Sequence, residues 1–184
     1  MTNVTQWMSW EGGVDLVAVT SPDLQMPNVI VHLGRMVNTP VGNAASGMIF
    51  WQPDVNAAPL VMGFVSTNEN VGAYFGPNIF AGTPFENAPV LDAQIDIRFD
   101  GVTAFSKCVV GEFTFEVEMS DLSAPYLINR EPSAMPPFYQ QGVEMSCGKT
   151  VLKVNGAVID IIIPPVGITG GPASVVSPNG VYAR

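Results

Sequence analysis

Side chains able to do chemistry are few in this sequence, and their spacing keeps most of them apart. His32 is the only histidine, so an imidazole base or a catalytic triad would have to use it. It lies in Asn28-Val-Ile-Val-His-Leu-Gly-Arg35, where a strand histidine making ordinary hydrogen bonds is the simpler reading. Asp92, Asp96 and Asp100 recur at every fourth position, but four residues of extended chain span about 13 Å. They cannot share one ion unless other segments contribute. The calcium-loop pattern D-x-D-x-D-G is absent, and one histidine with two distant cysteines makes no zinc site. Neither a metal nor a cofactor is expected. Glu112, Glu116 and Glu118, with Asp92 and Asp96, could flank a glycosidic bond by residue type alone; their alternation with apolar residues reads instead as a hydrated sheet face. Cys108 and Cys147 read as buried reduced thiols packing as small hydrophobes, with a disulfide between them as the alternative. Gly12-Gly13 and Gly170-Gly171 belong to no phosphate-binding pattern. No residue is assigned a catalytic role.

Contact is a better prospect than catalysis. Trp7, Trp10, Trp51, Phe50, Phe64, Tyr74, Phe75, Phe80 and Phe85 weight the first half of the chain with aromatics. Core packing explains most of them, but several lining one pocket would mark a ligand or partner surface. Pro136-Pro-Phe-Tyr139 places two aromatics in a proline-rich stretch. The candidate ligand or partner contacts are Pro137, Phe138, Tyr139 and Trp51.

The elements that must hold these residues are strands. Leu91, Ala93, Ile95, Ile97 and Phe99 alternate with Asp92, Gln94, Asp96, Arg98 and Asp100, which puts one face on a core and one in water. Asp100-Gly101 suits a two-residue turn, pairing Phe99 with Val102 and Ile97 with Ala104. Apolar residues then change parity twice. Between Cys108 and Phe113 the shift centres on Gly111, and between Cys147 and Leu152 on Gly148, as at bulges or corners. Asn155-Gly156 is a strong hairpin signal, pairing Val154 with Ala157, Leu152 with Ile159 and Thr150 with Ile161. The runs Val14 to Val19, Val29 to Arg35, Gly47 to Gln52 and Leu60 to Ser66 are partly apolar on both faces, which suits strands covered on both sides. Ser120 to Gln140, with four prolines, reads as a long loop. No helical stripe free of Gly and Pro is present. The expected fold is all-β, an antiparallel β-sandwich or closed β-barrel of about nine or ten strands with little helix, formed by residues 1–184 as one domain.

Composition bounds the partners. Charged residues are 12% of 184, about half the usual share, which points to a second subunit covering apolar surface. Sixteen acidic against seven basic residues give a net charge of −9. The cations form no run, so neither nucleic acid nor an anionic membrane is an expected partner. The first ten residues do not read as a secretory signal, and no apolar stretch nears the ~18 residues that span a bilayer; the default location is cytoplasmic. Two functions fit these features best, with an enzyme using carboxylates or bound substrate groups without histidine left as a third. The first is a non-enzymatic, self-associating structural or protein-interaction module, a homo-oligomer. The alternative is a β-barrel binding a small apolar ligand.

Overall fold

Residues 4–133 and 136–184 are described here, from a computed structural model. Eleven strands form one continuous sheet. In chain order they are β1 (Trp7–Ala18), β2 (Val29–Thr39), β3 (Gly42–Trp51), β4 (Val61–Ser66), β5 (Val90–Phe99), β6 (Ala104–Val110), β7 (Phe113–Leu122), β8 (Tyr126–Arg130), β9 (Tyr139–Val154), β10 (Ala157–Ile159) and β11 (Ser174–Ala183). A six-residue helix α1 (Glu69–Tyr74) runs into a π-helical turn at Phe75–Ile79. The spatial order is β10-β9-β11-β1-β2-β3-β4-β5-β6-β7, and β7 pairs β9 again, so the strands close on themselves in a ring. The expected all-β, sandwich- or barrel-like fold is what forms. All ladders are antiparallel except β4–β5. A parallel pair needs a crossover, and residues 67–89, with α1 and the π turn, supply it.

Strand β9 makes the closure possible. Its first half pairs β11 from Tyr139 to Ser146, and its second half pairs β7 from Cys147 to Val154. The chain passes from one half of the ring to the other near Gly148, opposite Asp121, whose φ is +55°. The corner expected at Gly148 is therefore present. Asn155 and Gly156 both have positive φ, and Val154–Ala157 and Leu152–Ile159 pair as the turn chemistry requires.

Four details differ from the sequence reading. The β5–β6 loop has four residues, not two, and Phe99 faces Ala104 while Ile97 faces Ser106. Asp100 Oδ1 accepts from the amides of Val102 and Thr103 at 2.9 and 2.7 Å, and this side-chain turn outcompetes the tight hairpin. Gly111 is no bulge. It opens a two-residue turn joining Val110 to Phe113, and such a turn pairs even positions with odd ones, which produces the parity change. Residues 120–140 are not one loop, because β7 runs on to Leu122 and β8 pairs β9 between the prolines. Lastly, β10 stops at Ile159, so Thr150–Ile161 does not pair; the next residue but two, Ile162, bridges Val19 instead.

The first half of the ring is buried on both faces, as its two-sided apolar strands require. Val14, Leu16, Val31, Leu33, Ile49 and Trp51 meet Ile97, Cys108, Phe115, Val117, Met119 and Leu152 inside the ring. On the outer face Ile30, Met48 and Phe64 are covered by Val71, Tyr74, Phe75 and Ile79 of the crossover and by Phe138.

Candidate active site

A crease runs across three neighbouring strands and folds the sheet around this outer core. Gly12 of β1 has φ +65°, a conformation costly for any residue with a Cβ. Beside it, β2 breaks register between Gly34 and Val37, and β11 between Val176 and Asn179. Beyond the crease the row of inward side chains changes parity. Met8 and Trp10 therefore point to the same space as Gly13 and Asp15.

That space is a cavity of about 40 Å³. Its walls are aromatic: Trp10, Phe64, Phe75, Phe80, Phe138 and Tyr182. Asp15 and His32, directly opposed across the β1–β2 ladder, supply the charge. Asp15 Oδ1 contacts His32 Nδ1, and the two side chains keep only 20% and 23% of their surface open. Asp15 Oδ1 makes no conventional hydrogen bond among the described residues, so the imidazole is what offsets its burial. Burial by itself would lower the His32 pKa; the charge of Asp15 and its contact at Nδ1 outweigh this, and the net shift is upward. With Nδ1 turned to the acid, Nε2 is left for a ligand.

Tyr182 completes the group. Its ring lies 6.3 Å from that of His32, 4.7 Å from Trp10 and 4.1 Å from Phe138, centroid to centroid. Burial, then the nearby charges of Asp15 and Glu144, hold its pKa well above 10 despite Arg130. It is a neutral phenol, a donor and not a base. Behind it, Arg130 donates Nη1 to Glu144 Oε1 and Nη2 to Oε2, both at 2.7 Å, and Nη1 also to Gln140 Oε1 at 3.0 Å. This bidentate pair neutralises the guanidinium behind Tyr182.

Of the contacts proposed from sequence, Phe138 lines the cavity, and Pro137 lines a second chamber beside it. Tyr139 begins β9 opposite Ala183. Trp51 is elsewhere, in the ring interior against Phe115. The acids on β5 and β7 do not approach the cavity, and both cysteines are free, with burial raising Cys108 to about 12 and Cys147 to about 11. Sequence reasoning misses Asp15 and Tyr182. The available signal is Asp15 itself, a lone acid inside the apolar run Val14-Asp-Leu-Val17.

No family model and no curated protein matches the chain. Among solved structures it aligns with an acetoacetate decarboxylase from Legionella pneumophila subsp. pneumophila str. Philadelphia 1. The alignment is 10% identical with a TM-score of 0.43, and covers 100% of this chain and 88% of that one. The aligned structure is an enzyme by its name, which stands against the expectation of a non-enzymatic module. The likeness itself names no reaction for this chain. The cavity lies outside the ring, under the crossover, and not in the enclosed interior where a barrel ligand is expected from sequence. Among the described residues no helix is long and apolar enough to cross a membrane.

Proposed function

We propose that this protein is an enzyme that moves protons on a small carbonyl compound. The observation that carries the reading is the His32–Asp15 pair, set into an aromatic cavity beside the neutral phenol of Tyr182. A base, a group orienting it and a hydrogen-bond donor are the parts that proton abstraction next to a carbonyl requires. His32 Nε2 takes the proton from the carbon next to the carbonyl. The C–H electron pair becomes a C=C bond, the carbonyl oxygen gains charge, and the Tyr182 hydroxyl donates to that oxygen. Returning the proton to the same carbon gives exchange; returning it elsewhere gives an isomer. A base with a pKa above 6.5 suits neutral pH. Asp15 orients the imidazole and stabilises its protonated form.

Decarboxylation, the activity in the name of the aligned structure, is not the reading adopted. Among the described residues, neither a lysine for a Schiff base nor an arginine for a carboxylate lines the cavity.

The test is hydrogen–deuterium exchange of a panel of uncharged ketones in D₂O, followed by proton NMR. The wild type exchanges protons next to the carbonyl faster than buffer. His32→Ala lowers the rate about a hundredfold or more, and Asp15→Asn lowers it less. A wild-type rate equal to buffer across the panel, or a His32→Ala rate equal to wild type, removes the proposal.

A further inference from the structure

Two cavities meet at four residues. The inner one, at Asp15 and His32, measures about 40 Å³, room for a water or for a polar group of similar size. An outer chamber of about 410 Å³ adjoins it, bounded by Ile30, Phe50, Phe85, Pro84, Pro136 and Pro137. Phe80, Phe138, Ile168 and Thr169 line both spaces. The outer volume is in the range of small-molecule sites, while the inner one is too small for anything but a functional group.

The two spaces differ in chemistry. Among the described residues the outer chamber has no acidic or basic side chain in its lining, and Gln52, Thr83 and Thr169 are its polar ones. Asp15 and His32 are the charged groups of the inner space, and Arg130 behind it is held by Glu144. An anion entering here finds His32 already paired with the carboxylate of Asp15, and no other cation among the described residues of either lining. The partition is aromatic, with Phe80 and Phe138 edge to face at 5.6 Å and 84°, a geometry that a third ring can join.

We propose, resting on the proton-transfer reading above, that the outer chamber seats the uncharged aromatic body of the substrate. Its carbonyl head passes the Phe80–Phe138 partition, whose touching rings must part, to reach His32 and Tyr182. The substrate class is then a neutral aryl-alkyl ketone or aldehyde, and carboxylates of the same shape are rejected.

The probes are 4-phenylbutan-2-one and its anionic counterpart 4-phenylbutanoate, titrated against the full chain by calorimetry. The ketone binds at least tenfold more tightly than the carboxylate. Intermolecular NOEs connect its ring protons to the Met26 methyl group and the Phe85 ring, both of which line the outer chamber alone. Phe85→Ala weakens ketone binding about tenfold; should that variant not fold, the wild-type NOEs decide. His32→Ala loses exchange. Ketone bound with these NOEs but not exchanged by wild type sinks the proton-transfer reading and leaves the ligand class standing. Equal binding of the carboxylate, NOEs to another surface, or no saturable ketone binding at millimolar concentration overturns the proposal.

Discussion

His32 and Asp15 are each unremarkable by type, and what makes them a site is that one offsets the burial of the other. The pH dependence follows from that balance. His32 works as a base only when neutral, so the rate climbs as pH rises through its raised pKa, with a midpoint above 6.5. The groups near the pair are Asp15 on β1, Tyr182 on β11, and Glu144 and Arg130 on β9 and β8. Tyr182 stays protonated through this range. In Asp15→Asn the raising influences are gone and burial remains, so the midpoint moves below 6.5; a profile unchanged by this substitution would contradict the assignment. Stability has the opposite slope. A group whose folded pKa is raised contributes fully below its unfolded pKa near 6.5 and loses that contribution as pH rises through the folded value. Urea melts of wild type from pH 6 to 8 therefore weaken with pH more than those of His32→Ala. None of this was legible locally, since Asp15 and His32 meet only through the β1–β2 register.

Elements decide which residues converge, and here the ladder and the turns differ in how openly the sequence declares them. Alternation on β5 and β7 and the Asn155-Gly156 turn are local signals, and the strands formed where they point. The crease is not local. Gly12 looks like any loop glycine, and only alignment with irregularities on β2 and β11 turns three small defects into a bend. Likewise β8 was hidden by its prolines, although Pro125 and Pro132 merely bracket it. Besides its ladder with β9, β8 is tied down by Arg130, whose side chain is 20% exposed against 3% for Glu144. Removing one partner of such a pair strands the other charge, at a cost of about 3 kcal/mol. Arg130→Ala measured by chemical denaturation should show a loss of that order, and Glu144→Gln together with Arg130→Met much less. A loss below about 0.5 kcal/mol would place the pair among ordinary surface bridges.

Whole-molecule behaviour follows from which strands have two neighbours. In the ring β1, β2 and β11 are paired on both sides, whereas β8 and β10 hang from β9 by one edge each. Native-state hydrogen exchange should free the β8 and β10 amides first and release those of β1 and β11 only on global unfolding. Equal protection of β8 and β11 would argue against the closed ring. Low charge, read from composition as a sign of a covering subunit, has an internal outlet as well: the crossover and the Phe138 segment cover the outer face of the sheet. β11 sits between β1 and β9 and carries Tyr182, so it serves as a keystone. Take it away and the arch gapes along two unpaired margins with the phenol gone. A molecule so cut would keep its histidine yet lack the donor on which the proposed proton transfer depends.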